Sequence, residues 1–249
     1  MTAPLLEAEN LVRRFGGLAA VDGVSLALRR GCLHAVIGPN GAGKSTLTNL
    51  LSGELPSSEG RIRIGGVDAA GWPNWRFARA GVGRSFQRTN VLRDMTVDEN
   101  VRLAAQIRLS PPGRLLRRAS QEAAPAAAAA RALERVGLHA HAARLAGSLS
   151  HGGLRQLEIA MVLATDPQVL LLDEPLAGMG PEEADRIVRL LRALAVDHAV
   201  LLIEHDMDVV FAVADTLTVM VDGRVLDEGP PEHIRASARV QDAYLGHPA

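Results

Sequence analysis

Leu33-His34-Ala35-Val36-Ile37-Gly38-Pro39-Asn40-Gly41-Ala42-Gly43-Lys44-Ser45-Thr46 is the stretch that decides the fold. A short apolar run leads into an octapeptide of the form G-x-x-x-x-G-K-[ST], and a helical pattern over 46–51 follows at once. Strand, glycine loop and helix is the context in which this motif cradles phosphates. Glycines let successive backbone N–H groups point inward, and the helix N-terminus adds its partial positive charge. Lys44 would reach the outer phosphates and the Ser45 hydroxyl would ligate a divalent cation.

A second, independent signal is Val169-Leu170-Leu171-Leu172-Asp173-Glu174, an apolar strand ending in two carboxylates. In open α/β sheets ligands bind outside the carboxyl ends of the strands. Asp173 is positioned to hold the cation through its shell, and Glu174, pointing the other way, to polarise a water for attack on a terminal phosphate. Gln87 and His205 also stand where strands are expected to end, after Val82-Gly83-Arg84-Ser85-Phe86 and Leu201-Leu202-Ile203-Glu204. Either could orient water or sense the phosphate; taken singly, each reads as a surface or capping residue.

Further apolar runs at 5–12, 24–28, 61–64, 200–203 and 217–221 complete the set, and runs this short suit strands buried on both faces of a parallel sheet. Pro181-Glu182-Glu183 and Pro231-Glu232 open helices, with proline in the first turn and carboxylates near the positive end of the dipole. Asp222-Gly223 between two apolar runs predicts a hairpin, so the sheet is not purely parallel near its end. From about 96 to 164 the strand-like runs vanish and Ala, Leu and Arg recur at helical spacing, interrupted at Pro111-Pro112-Gly113 and at Pro125. That texture predicts a helical subdomain inserted into an α/β core.

The chain of 249 residues suits one large α/β domain, or a core carrying a smaller one, at about 150 residues per domain. With 47% apolar and 22% charged residues it is an ordinary globular composition, which excludes disorder, collagen and coiled coil. A net charge of −1 gives no general attraction to nucleic acid or anionic lipid. The single cysteine, Cys32, allows no internal disulfide and suits a reducing compartment. The first ten residues carry Glu7 and Glu9 and do not read as a signal peptide, and no apolar run approaches the roughly 20 residues of a membrane span. Of 27 basic residues only Lys44 is a lysine. The arginine excess and the alanine-rich stretch at 123–130 suggest codon bias rather than chemistry.

Together these residues resemble the ATP-binding subunits of ABC transporters, and the resemblance covers nearly the whole chain. Leu149-Ser150-His151-Gly152-Gly153 lies just before the carboxylate strand, where that family carries its Leu-Ser-Gly-Gly-Gln signature. The resemblance implies a P-loop NTPase of ABC type: a mainly parallel core sheet, an antiparallel β portion and an inserted helical subdomain. It implies one ABC ATPase domain over 1–249, with a RecA-like core and β subdomain over 1–95 and 165–249 and a helical signature subdomain over 96–164. It assigns ATP and Mg²⁺ as ligands. Gly38, Asn40, Gly41, Gly43, Lys44, Ser45 and Thr46 would hold the phosphates, Phe15 would stack on adenine, and Ser150 and Gly152 would contact ATP held by the other subunit of a head-to-tail dimer. Ser45, Asp173 and the Q-loop glutamine Gln87 would hold the metal. Glu174 would act as base, with His205 as the switch histidine.

Arg13-Arg14-Phe15-Gly16-Gly17, Gly83-Arg84-Ser85-Phe86-Gln87, Asp94-Met95-Thr96-Val97, Glu204-His205-Asp206-Met207 and Ala243-Tyr244-Leu245-Gly246 are similar to the LivG-type ATPases of branched-chain amino-acid importers. Relatives with this texture also serve urea or amide uptake. Implied partners are two membrane permease subunits, a second ABC ATPase forming a homo- or heterodimer, and indirectly a periplasmic or lipid-anchored substrate-binding protein. The implied location is peripheral, on the cytoplasmic face of the membrane, with no nucleic-acid partner. Three departures from the pattern stand out: Gly153 with Leu154, His151, and Gly180 in place of the D-loop carboxylate. The first is expected to weaken the helix start and the trans contacts. The rival readings are a soluble ABC ATPase acting on nucleic acid or the ribosome, which lacks a coiled-coil insert or second cassette here, and a small-molecule P-loop kinase, which leaves the signature unexplained.

Overall fold

The computed structural model describes residues 3–85, 90–109 and 123–245. Gln87 and the Pro111-Pro112-Gly113 break lie outside the described residues.

The apolar run before the glycine loop forms β3 (Cys32–Ile37), inside a six-stranded sheet. Its neighbours are β6 (Val82–Arg84), β7 (Val169–Asp173), β8 (Ala199–Ile203), β9 (Thr216–Val221) and β10 (Arg224–Gly229), in the order β10-β9-β3-β8-β7-β6. All pairings are parallel except β9 with β10. That exception is the hairpin expected at Asp222-Gly223, whose φ values of 49° and 78° are those of a type I′ turn. Sequential side chains of β3 feed two different cores. Leu33, Ala35 and Ile37 join the core beneath the helices, and Val36 joins the one shared with a second sheet.

That second sheet has the order β2-β1-β4-β5 and is antiparallel throughout. It comprises β1 (Leu6–Phe15), β2 (Leu18–Leu28), β4 (Glu59–Ile64) and β5 (Val67–Asp68). Three of the apolar runs read as parallel strands, at 5–12, 24–28 and 61–64, therefore belong to an antiparallel sheet. The alternation in β1 shows why. Leu6 and Ala8 are buried, while Glu7 and Glu9 face outward and pair with Arg63 across the strand, the pattern of a sheet with one wet face. Helix α1 (Lys44–Leu51) buries Leu47, Leu50 and Leu51 in the same core as this sheet.

Among the described residues, three α-helices lie in the region read as an insertion: α3 (Val97–Leu109), α4 (Ala123–Arg135) and α5 (His151–Leu163). Pro125 does not break the helical pattern as expected. It is buried within α4, at the third of that helix's described residues, and the chain stays helical through it. Helix α2 (Asn74–Arg79) precedes β6. Helix α6 (Pro181–Asp197) begins at the expected proline and buries a stripe at Ile187, Leu190, Leu191, Leu194 and Ala195, the spacing of one helical face. Among the described residues, the remaining α-helices are the short α7 (Met207–Val213), α8 (Pro231–Ala236) and α9 (Ala238–Leu245). Among the described residues no helix is long and apolar enough to cross a membrane.

Candidate nucleotide site

Parallel pairing brings the chemistry to one edge. Val36 stands opposite Ile203, and Ile203 opposite Asp173. The glycine loop, the carboxylates Asp173 and Glu174, and the pair Glu204 and His205 therefore leave the sheet side by side.

Two glycines of the loop are fixed by close backbone approach. A Cβ on Gly38 would stand 2.2 Å from the Met220 carbonyl oxygen, and one on Gly43, at φ 95°, would stand 2.2 Å from that of Ala20. Gly223 of the β9–β10 hairpin donates its N–H to the Ala42 carbonyl oxygen at 3.1 Å, bracing the loop from behind. Asn40 and Gly41 are exposed at its tip, Ser45 is exposed, and Thr46 is half-buried on the first turn of α1. Lys44 folds back over the loop, donating from Nζ to the carbonyl oxygens of Gly38 at 2.7 Å and Pro39 at 2.9 Å. Burial lowers its proton affinity, and the charges of Glu174 and Asp173 oppose that shift. The cradle, the cation and the exposed hydroxyl fit a triphosphate with a bound cation.

Asp173 is buried, which raises its pKa, while Arg84 is the strongest influence holding it down. Arg84 is itself positioned by α1, donating to Asn49 Oδ1 at 2.7 Å and Ser52 Oγ at 2.9 Å. Glu174 adopts a left-handed backbone at φ 47° and donates its N–H to the Ile203 carbonyl at 2.9 Å. A non-glycine residue in this region is sterically costly and persists only where its surroundings enforce it. Glu204 is buried and accepts from the backbone N–H groups of Leu176 at 2.9 Å and His205 at 3.3 Å, and burial raises its pKa. The His205 ring is exposed, its Nδ1 3.8 Å from Glu204 Oε2.

Phe15 is 46% exposed at the β1–β2 hairpin and carries the Arg13 guanidinium 4.8 Å from its ring centroid, so it is no core residue.

Ser150 and Gly152 sit apart, in a recess of about 290 Å³ whose lining includes Arg144, Gly153, Gln156, Glu183 and Arg186 but no residue of the glycine loop. The helix start survives its extra glycine: Ser150 Oγ caps α5 by accepting the Gly153 N–H at 3.1 Å. The same hydroxyl donates to Glu183 Oε1 at 2.8 Å. That carboxylate lies so close to Gly152 that a Cβ there would stand 2.7 Å from Glu183 Cδ. His151 lays its ring against Gly178 in the loop after Glu174, and Gly180 starts α6 with no side-chain cap.

The family described as "ABC transporter" matches residues 21–177. The chain belongs to the ABC transporter ATP-binding family. A second family, described as "Branched-chain amino acid ATP-binding cassette transporter", matches residues 224–249. The cassette is 43% identical to the high-affinity branched-chain amino acid transport ATP-binding protein LivG of Salmonella typhimurium and 41% identical to BraF of Pseudomonas aeruginosa, each over 99% of both chains. It superposes with TM-score 0.88 and 32% identity on a crystal structure of the ADP conformation of an ATP-binding cassette of an ABC transporter, covering 99% of this chain and all of that one. A nucleotide-free ATP-binding cassette gives TM-score 0.87 at 32% identity, over 98% of this chain and all of that one. The protein is thus a nucleotide-binding ATPase subunit that powers membrane transport.

Several polar residues of the cassette were not assigned a role in the site from sequence: Arg84 beside Asp173, the buried Arg155 and Glu158 on α5, Glu183 on Ser150, and Glu204 beneath His205. Only Glu204 had a local cue, a carboxylate directly after an apolar strand. The others depend on which helix packs on which strand.

Proposed function

We propose that this cassette is the ATP-hydrolysing subunit of an importer of branched-chain amino acids, working as one of a pair of cassettes beneath two permease subunits at the cytoplasmic face of the membrane. The cargo rests on the full-length likeness to LivG and BraF. The preferred pairing is with a different, homologous ATPase, and a periplasmic or lipid-anchored binding protein delivers the cargo from the other side.

In this reading the loop amides and Lys44 grip the triphosphate, and Phe15 stacks on adenine. Ser45, Asp173 and Gln87 hold Mg²⁺, which when bound neutralises charge on the phosphate oxygens. Glu174 polarises the attacking water and His205 contacts the terminal phosphate. Arg84, then Arg155 and Lys44, oppose the rise that burial and the neighbouring Glu174 give to the Asp173 pKa. Ser150 and Gly152 offer a helix N-terminus to the partner's ATP. The segment 96–164 moves as a unit against the core formed by 1–95 and 165–249. A groove of about 360 Å³ between the two, rimmed by the exposed Trp75 and Ile107 and lined by Met161 and Val162, receives an apolar segment of a permease.

Uptake of labelled leucine by cells carrying the wild-type chain or Lys44→Ala tests the proposal, with labelled urea in parallel. Selective loss of leucine entry is expected. Loss of urea entry alone would transfer the same machine to another cargo, and no loss of either would remove the transport role.

A further inference from the structure

Helix α5 buries Leu154, Leu157, Ile159, Ala160 and Leu163, and among them two charged side chains, Arg155 and Glu158, at 3% and 5% exposure. They pair with each other through Arg155 Nη1 and Glu158 Oε2 at 2.5 Å. A buried ion pair is a poor way to stabilise a fold, because desolvating both charges offsets most of their attraction. Each member of this one, however, holds a third group. Arg155 Nη2 donates to the backbone carbonyl of Glu174 at 3.1 Å. Glu158 Oε1 accepts the backbone N–H of Asn90 at 3.0 Å.

Both contacts fall at sensitive places. Glu174, in its left-handed conformation, donates its N–H to Ile203 of β8, and its carbonyl accepts both the local Ala177 N–H at 3.2 Å and the Arg155 guanidinium of α5, the one of these bonds that comes from a helix packed on the sheet. The direction of its side chain follows from that backbone setting. Asn90 lies three residues after Gln87 and lines the same groove as Glu158, Met161 and Val162.

We infer that Arg155 and Glu158 are a positioning pair for ATP hydrolysis, fixing the backbone of Glu174 and tying it to the chain segment that follows Gln87. The inference rests on the reading of Glu174 as the base. A shift of Asn90 is carried by Glu158 to Arg155 and so to the Glu174 carbonyl, which gives whatever fills the groove a direct path to the reacting water. Neither residue touches substrate, so their effect falls on kcat.

The test measures kcat and KM for ATP in the cassette assembled with its permeases, comparing Arg155→Met/Glu158→Gln, Arg155→Lys, Asn90→Pro and Glu174→Gln. The double variant leaves no unpaired buried charge, and its glutamine oxygen still accepts from Asn90, yet the bond to Glu174 is gone. Its kcat should fall about 10- to 100-fold, the scale expected when a catalytic group is misplaced by an ångström or less, with KM within about twofold by the same argument. Arg155→Lys, which keeps one donor, should recover part of the loss. Asn90→Pro, which deletes the amide that Glu158 holds, should lower kcat in the same direction. A double variant with wild-type kcat, alongside an inactive Glu174→Gln, overturns the pair's role while leaving the base assignment standing. Full activity of Glu174→Gln overturns both. Parallel losses in KM, thermal stability and kcat in every variant, with no recovery in Arg155→Lys, would reduce the pair to a structural one.

Discussion

The two halves of the nucleotide machinery in this chain are built differently. The phosphate loop is a finished cradle: Gly38 and Gly43 are pinned against the carbonyls of Met220 and Ala20, and Lys44 already lies across its mouth. The signature edge has its helix capped, but the Ser150 proton is spent on Glu183, and the carboxylate lies against Gly152, where a partner's phosphate would have to sit. On the proposed reading, one chain carries what is needed to bind nucleotide, and hydrolysis would wait on a second chain whose nucleotide displaces an internal anion. The sharpest break between the halves is Glu174→Gln. Its turnover should fall by about 10²- to 10⁴-fold, the range for losing a general base, with nucleotide affinity intact and the closed dimer accumulating. Turnover near wild type in a steady-state ATPase assay would remove Glu174 from the mechanism and with it the division of labour drawn here.

Lys44→Ala attacks the other half and should separate from the first variant in kind. Removing a charged hydrogen-bond donor from phosphate oxygens costs about 1.5–3 kcal/mol, roughly 10- to 150-fold in nucleotide affinity by equilibrium titration. An affinity equal to wild type would mean that Lys44 remains on the Gly38 and Pro39 carbonyls when nucleotide binds.

The same contrast explains what could be read from the letters. The phosphate loop and the Asp173-Glu174 strand were legible because their chemistry is local: contiguous residues, a glycine wherever backbone presses on backbone, an apolar strand on the near side. Asp222-Gly223 announced its hairpin for the same reason. The family resemblance implied an antiparallel portion, but its strands at 5–12 and 61–64 were read as parallel because their length and apolarity were weighed above their alternation, which Glu7, Glu9 and Arg63 make plain once paired. Pro125 was misread because a proline that breaks a helix and one that a helix accommodates look alike in sequence. Glu183 and Ser150 are 33 residues apart, and Arg155 reaches Glu174 across 19. Nothing in the spacing of such pairs predicts the contact, because it depends on how α5 and α6 settle on the sheet.

Glu183→Gln sharpens the comparison further. A neutral amide keeps the shape of the contact with Ser150 but lowers the cost of exchanging it for phosphate. ATP-driven pairing of cassettes, followed by sedimentation in the Glu174→Gln background, should tighten by about three- to tenfold if the relief is close to 1 kcal/mol, the scale of one exposed charge interaction. Weaker pairing would show instead that Glu183 organises the signature edge, and the internal-anion argument would fail.

The smallest effect belongs to a site at the opposite end of the same sheet. His198, just before β8, is buried with Nδ1 3.0 Å from the Pro167 carbonyl and Nε2 3.3 Å from Arg135 Nη1, an arrangement that suits a neutral ring donating from Nδ1. Burial and then Arg135 lower its pKa below the ordinary 6.5. The folded chain thus refuses a proton that the unfolded chain accepts. The stability tied to the neutral ring is full above pH 6.5 and is lost as pH falls below that value toward the depressed folded one. Asp173, Glu158 and Glu204, whose pKa values are raised, act in the opposite sense, so the melting temperature of the wild type alone does not isolate the histidine. The difference between wild type and His198→Gln does. Between pH 7.5 and 5.5 the wild type should lose a few degrees more than the variant, with nucleotide affinity equal in both at pH 7.5. Equal losses would show that folding does not change the ring's proton affinity, and a change in nucleotide affinity would show that the far edge of the sheet is coupled to the site that Glu174 and Lys44 define.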